Sequence, residues 1–473
     1  MPQYDAIVVG AGPNGLAAAI TLARHGCSVL VREAKSTCGG GMRTAQCTLP
    51  GFHHDLCSAI HPLGVASPFF RTMPWQEYGV RWIHPELPLA HPVALDRAAA
   101  VYRSLEETAA GFGVDQAAYR RLLEPFVRQS DALLKEVLGP LHLPRHPLLM
   151  ARFGIRGIAS ARSFVDRWFR TEEARGMFAG LAAHSILPLE QRLTAAVGLM
   201  FAVTAHGRGW PFPRGGSQQL ANAMQRYLED LGGRVQVDAP VERLDELPSA
   251  RAILFDGSPR NLVRIAGDLL PAGYRRRLER FRHGPGSFKV DWALSGPIPW
   301  RAEACRRAGT VHVGGTFDEV ALAERANWQG RPADNPFVLV AQQSLFDDSR
   351  APRGQHTGWG YCHVPASCTV DMTDRIEDQI ERFAPGFKDL ILDRHKMFPQ
   401  DLERYNANYI GGDITGGVMD AWQLFTRPVA RWNPYTTPVP HLFLCSASTP
   451  PGGGVHGMCG WHAARAVLRR RLR

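Results

Sequence analysis

The chain has 473 residues, 45% of them hydrophobic and 21% charged, the balance of a globular protein too long for one compact core. Its 54 basic and 44 acidic residues leave a net charge of +10, but the arginines are scattered and no aromatic residues interleave with them, which excludes the pattern of a nucleic-acid binder. No apolar stretch approaches the roughly eighteen residues that a membrane-spanning helix needs.

The N-terminus opens on an apolar run, Ala6-Ile7-Val8-Val9, closed by Gly10-Ala11-Gly12-Pro13-Asn14-Gly15. A good helix former, Leu16 to Ala23, follows, and then Ser28-Val29-Leu30-Val31-Arg32-Glu33. Strand, glycine turn, helix and strand ending in an acidic residue form the βαβ unit that holds an adenine dinucleotide. Gly10 allows the tight turn, Gly12 the approach of a pyrophosphate, and Gly15 close packing of helix on strand. The helix N-terminus offers free N–H groups and a partial positive charge to the phosphates. Glu33, eighteen residues after Gly15, is placed to accept both hydroxyls of a ribose, and it would repel a 2′-phosphate. The first strand begins near Tyr4, which leaves no room for a signal or transit peptide, so a cytoplasmic location is expected.

A second glycine cluster comes next, Gly39-Gly40-Gly41-Met42-Arg43-Thr44, and then Ser58-Ala59-Ile60-His61-Pro62. Residues 95–200 read as mostly helical, with a capping-box start at Ser104-x-x-Glu107 and apolar residues at helical spacing from Asp115 to Leu138. This region is expected to form a helical cap. Trp210-Pro211-Phe212-Pro213-Arg214-Gly215-Gly216-Ser217 opens a helix from Gln218 to Leu231, followed by strands at Arg234–Val237 and Ala252–Asp256. Phe288, Val290, Trp292 and Leu294 alternate with Lys289, Asp291 and Ala293, the pattern of a half-buried antiparallel strand. Val338–Val340 and Trp359–Val364 are expected strands of the same sheet, and Asp374–Phe383 is an expected helix.

Near the C-terminus, Leu442-Phe443-Leu444-Cys445 reads as a buried strand running into Ser446-Ala447-Ser448-Thr449-Pro450-Pro451-Gly452-Gly453-Gly454-Val455-His456-Gly457 and a last helix from Gly460. Sixteen residues follow Gly457, too few for a second nucleotide unit, so this loop is suited to bringing backbone against a flat ring or a phosphate. One dinucleotide held by both ends of the chain is the economical reading. The arginine runs at 275–277 and 469–473 read first as helix ends with a favourable dipole contact. The sharper alternative is weak attraction to anionic lipid heads at a membrane periphery. None of the nine cysteines has CxxC spacing, which excludes a simple dithiol centre and leaves no metal site of recognised spacing.

Together these segments resemble the FAD-dependent oxidoreductases related to bacterial phytoene desaturases, and within them the pyridine nucleotide-disulfide oxidoreductase domain-containing protein 2 subset. The resemblance runs through the N-terminal βαβ unit, GGGMRT, PFPRGGSQQLANAM, FKVDWALSGPIPW and STPPGGGVHGMCGWHAARA. It implies an α/β fold: a Rossmann-type FAD-binding domain of glutathione reductase-like topology, with a substrate domain of antiparallel sheet and helical cap. The expected division is 1–70, 205–275 and 400–473 for FAD, and 71–204 and 276–399 for the substrate. By resemblance, Gly10, Gly12, Gly15 and Glu33 hold the ADP half of FAD, and Gly40, Gly41 and Arg43 lie near the flavin. Val241 meets the adenine, while Gly453, Gly454, Val455, His456 and Gly457 wrap the pyrophosphate and flavin. Two positions depart from the pattern: Arg32 stands where an apolar residue is usual, and the stretch from Val241 to Asp256 is short.

The implied chemistry is removal of a hydride to flavin N5 from an apolar or amphipathic small molecule, with oxygen, a quinone or another carrier as reoxidant. His456 is the candidate for proton transfer, set against a role as a loop-bracing histidine, and His61 is a second candidate. Asn408-Tyr409 with Gly411-Gly412-Asp413 forms either an active-site wall or a tight loop, and Tyr361 and His363 are strand residues facing the pocket or buried in the sheet. Rival classes are a flavin oxidase acting on C–N bonds and a binding or regulatory protein of the same fold with little catalysis.

Overall fold

The computed structural model describes residues 2–470 and 472, so Arg471 and Arg473 of the C-terminal arginine run lie outside the described residues. Two sheets organise the chain. The first is wholly parallel, in the order Leu442–Leu444, Ala250–Phe255, Tyr4–Val9, Val29–Arg32, Arg234–Gln236. Its central strand is the N-terminal one. Pro13 opens the helix Pro13–Ala23 at a position where its missing N–H costs nothing, and every residue from Asn14 to Ala23 is buried. Small side chains make that possible. The last helix, Met458–Arg470, crosses so closely at Gly460 that a Cβ there would fall on the Asn14 carbonyl oxygen.

The second sheet has seven strands in the order Ile391–Met397, Gly286–Leu294, His356–Val364, Val338–Ala341, Ala308–Val313, Leu87–Pro92, Ala98–Val101. All neighbours are antiparallel except Ala308–Val313 with Leu87–Pro92. One face, carrying Phe288, Val290, Trp292, Val311, Val340 and Cys362, packs on Ile376, Ile380 and Phe383 of the helix Thr373–Phe383. The strand Gly286–Leu294 was expected to be half-buried, yet all nine of its residues are buried. Its polar face turns inward toward the cap instead of outward to water. There the charge on Asp291 is met by Lys289.

The cap is built from helices between Leu105 and Gly207. Ser104 caps the first by accepting from the Glu107 N–H. The periodic run from Asp115 to Leu138 divides into two helices, Gln116–Val127 and Ser130–Val137. The 95–200 stretch is not helical throughout: Ala98–Val101 is the edge strand of the seven-stranded sheet, paired with Leu87–Pro92. Phe126, Phe153, Phe164, Phe178 and Leu199 form a core that closes over the sheet through Leu339, Ala341 and Trp359.

Candidate dinucleotide cleft and substrate cavity

One cleft of about 920 Å³ runs from the glycine turn of the parallel sheet to the space between cap and second sheet. At the first end, Gly10 has φ of +103°, a conformation that side chains resist. A Cβ on Gly15 would strike the Gly10 carbonyl oxygen, and one on Gly40 would come within 2.9 Å of the Gly12 Cα. The two glycine clusters are therefore in direct backbone contact, leaving peptide edges bare along the cleft.

Glu33 ends the second strand with both oxygens engaged. Oε2 accepts from the Ala11 N–H at 2.7 Å and Oε1 from the Lys35 N–H at 2.9 Å. Arg43 Nη2 stands 3.4 Å from Oε1, while the same guanidinium donates to the carbonyls of Thr37 and Gly40. Arg43 thus ties the carboxylate to the second glycine cluster. Val241 lines the cleft close by, and the Ala239 N–H donates to the Glu33 carbonyl at 2.8 Å. Arg32 also faces this space, with no hydrogen-bond partner on its Nε.

Asp256 was expected only as the end of a strand, but it sits at the N-terminus of the first helix. Its Oδ2 accepts from the Gly15 N–H at 2.8 Å. Burial holds its carboxyl well above the usual carboxylate range, assisted by the Glu33 charge and opposed by the Gly15 and Gly12 N–H groups. Asn408 braces the turn after it, donating to the Asp256 carbonyl and accepting from the Ser258 N–H. Tyr409 lines the cleft beside Gly41, its hydroxyl 3.5 Å from Cys57 Sγ. Asp413 is wholly buried and accepts from the Gly284, Thr415 and Gly417 N–H groups, which makes 411–413 a tight loop.

The loop Gly453–His456 forms the opposite wall of the cleft. Next to it, Gly457 packs on Ala17 and Phe69, with φ of +67°. His456 accepts from the Met458 N–H on Nδ1 at 3.0 Å, so it caps the last helix. Burial pushes its pKa down to about 4, against the pull of the Gly452 and Gly453 carbonyls, and the ring is neutral near pH 7. His61 is similarly held: Nε2 lies 2.8 Å from Ser217 Oγ, and burial brings its pKa to about 4. Both histidines are tied into local structure.

The far half of the cleft lies between cap residues such as Met150, Phe153, Met200 and Phe201 and the inward face of the second sheet. Strand register puts Ser287, Lys289 and Asp291 opposite His363, Tyr361 and Trp359. Lys289 and Tyr361 line the cavity, while His363 turns to Glu324 with Nδ1 2.8 Å from Oε1. Lys289 had stood in the sequence only as a polar alternation. Behind it, Cys47 Sγ and His395 Nδ1 lie 3.7 and 3.6 Å from Asp291 Oδ2. The Lys289 ammonium donates to that same oxygen, so the chain supplies its own cation to this cluster. All nine cysteines are free thiols.

A phosphate-cradling βαβ turn that opens into a capped, largely apolar cavity defines an oxidoreductase working with a dinucleotide cofactor. Residues 8–73 match the model of the NAD(P)-binding Rossmann-like domain. Along 99% of its length the chain is 25% identical to pyridine nucleotide-disulfide oxidoreductase domain-containing protein 2 of Rattus norvegicus, covering 94% of that protein. It is 26% identical to the lycopene-forming phytoene desaturase of Pseudescherichia vulneris, with 98% of each chain covered. The fold is shared with an oxidoreductase from Methanosarcina mazei, at a TM-score of 0.67, 14% identity, and coverage of 98% of this chain and 99% of that one. The chain is an oxidoreductase of dehydrogenase or desaturase type, similar along nearly its whole length to phytoene desaturases. Among the described residues no helix is long and apolar enough to cross a membrane.

Proposed function

We propose that the chain binds FAD and removes a hydride from an apolar or amphipathic organic substrate held between cap and sheet. The observation that carries this reading is the continuity of one cleft from Gly10, Gly12 and Glu33 to Met200, Phe201 and Tyr361. The residues fit the cofactor: the Gly12–Gly40 contact leaves no side chain in the way of a pyrophosphate, and Glu33 retains acceptor capacity for ribose hydroxyls. Gly10, Gly12, Gly15, Glu33, Gly40, Gly41, Arg43 and Val241 would hold it, with Gly453, Gly454, Val455 and Gly457 closing over it.

When bound, the flavin supplies the two-electron acceptor for a C–H bond. The chain's own residues do the rest. The phenyl and thioether groups of the cap orient an apolar chain and exclude water. Asp256, its carboxyl held above the usual range by burial, accepts from the Gly15 N–H and would brace the turn that holds the dinucleotide. Lys289, fixed by Asp291, holds a positive charge at the cavity wall. His456 keeps the glycine loop in place by capping the last helix. Oxygen or a quinone then takes the electrons from the reduced protein.

The test is a visible spectrum of the purified protein after reconstitution with FAD, followed by dithionite and air. Absence of flavin absorbance would exclude this reading in favour of a binding or regulatory role. Stoichiometric peroxide during turnover of an amine would favour a C–N oxidase.

A further inference from the structure

The inward face of the second sheet is more polar than a hydrocarbon site requires. At the cap end of the cavity, Thr310 comes from the strand Ala308–Val313, Trp210 from the segment before Phe212, and His184 from the end of the helix Glu172–Ala183. They converge. The rings of His184 and Trp210 are 5.6 Å apart, that of Trp210 is 5.7 Å from His312, and His184 Nε2 lies 3.2 Å from His312 Nε2. Trp210 is 2% and Thr310 3% exposed, yet neither the Trp210 Nε1–H nor the Thr310 hydroxyl has a hydrogen-bond partner within the protein. Buried donors without partners are rare and costly. Both line one end of the cavity, where they mark the place of an acceptor that belongs to a ligand.

The acceptor's charge can be read from the surroundings. His184 and His312 are driven to their neutral forms by burial, each reinforced by a neighbouring histidine. His363, on the same face, is directed to Glu324. Lys289 stands three strand spacings from Thr310 in the sheet order, roughly 14 Å away, and is committed to Asp291. A carboxylate or phosphate buried here would have no cation to meet it. An uncharged oxygen suits two neutral donors.

We propose that Trp210 and Thr310, backed by the His184–His312 pair, form a subsite for an uncharged acceptor oxygen, a hydroxyl or carbonyl, on an otherwise apolar substrate. This rests on the reading of the cavity as a substrate site and narrows the substrate class from hydrocarbon to oxygen-bearing amphiphile.

The test compares four C20 polyprenyl probes on the full-length, FAD-treated protein: geranylgeraniol, its aldehyde, its acid and the matching hydrocarbon ending in methyl. Dissociation constants are read from tryptophan quenching in one detergent at pH 8. The alcohol and aldehyde are expected to bind at least about tenfold more tightly than the hydrocarbon, and the acid no better than the hydrocarbon. Trp210→Phe and Thr310→Val should each shrink that preference toward parity. Circular dichroism verifies that both variants are folded, and either one alone suffices. Equal binding of alcohol and hydrocarbon would mean that only water fills the subsite. That result overturns the proposal, as does strongest binding by the acid, no binding of any probe, or a preference intact in both variants. A protein that never takes up flavin refutes the functional reading by its spectrum, whereas one that is yellow but indifferent to the oxygen refutes only the subsite. The probes are run on whichever form reconstitution yields.

Discussion

Lys289 and Asp291, two residues apart on one strand, form an ion pair in which both side chains are almost wholly removed from solvent, at 3% and 0% exposure. His54 Nδ1 and His395 Nδ1 stand 3.7 and 3.6 Å from the same carboxylate. Burial opposes the charge of Asp291, but the ammonium and the surrounding histidines outweigh it and hold the carboxyl below its usual range. The pair anchors the Lys289 side chain at the cavity wall.

Breaking that pair from one side should be costly. Lys289→Met leaves a buried carboxylate without its cation and is expected to lower stability by about 3–5 kcal/mol, whereas Lys289→Met with Asp291→Leu should recover most of the loss. Urea denaturation of the two variants checks this. A single variant as stable as the parent would show that the carboxylate finds another partner.

Glu33→Ala should weaken dinucleotide binding roughly 10- to 100-fold, because a carboxylate with two backbone N–H bonds and a facing arginine is lost. Flavin fluorescence released on dilution measures it. Retention equal to the parent would remove Glu33 from the binding set.

Asp256→Asn tests whether the acid at the first helix is neutral. Its folded pKa is raised above the unfolded value, so stability present at low pH falls as pH rises through the folded pKa. The amide does not ionise. The variant should therefore match the parent in acid, exceed it at neutral pH, and still bind the dinucleotide. Stability curves that stay parallel from pH 4 to 8 would contradict this.

Acid should unfold the protein through its buried histidines. His54, His61, His91, His206 and His456 are each lowered by burial from 6.5 to about 4. Groups depressed in this way contribute stability above pH 6.5 that is lost as pH falls toward 4. Thermal midpoints between pH 7 and 4 should drop steeply, and less steeply in His91→Gln if that variant folds. For the same reason, His456→Gln should leave the shape of any pH–rate profile between pH 5 and 8 unchanged.

Gly460→Ala should prevent close approach of the first and last helices, since the added methyl falls on the Asn14 carbonyl oxygen. A loss at or above about 3 kcal/mol is expected for overpacking against backbone. Thermal unfolding with and without added FAD reads it.

The parallel sheet was legible because its strands are short, apolar and bounded by glycine, as at Ala6–Val9 and Leu442–Leu444. Half of the second sheet was not. Leu87–Pro92 contains two prolines and is buried throughout, and Ile391–Met397 is a polar edge strand, Ile-Leu-Asp-Arg-His-Lys-Met. Neither shows the alternation that marks a strand. The glycines and Glu33 were visible because the βαβ spacing is local. Asp256 was not, since its partner Gly15 is 241 residues away. Trp210, Thr310 and His184 lie on separate elements, and only folding brings them to one end of the cavity. His456 was seen as a loop residue, but its bond to the Met458 N–H depends on the backbone turn at Gly457.

The interlock of the first and last helices at Asn14 and Gly460 has a consequence for synthesis. The glycine turn is synthesised long before the loop and helix that wall it, and the sheet beneath it gains its edge strand, Leu442–Leu444, at nearly the same time as that helix. No earlier portion of the chain can complete the cradle. A chain released before the helix Met458–Arg470 should therefore be unable to retain a dinucleotide.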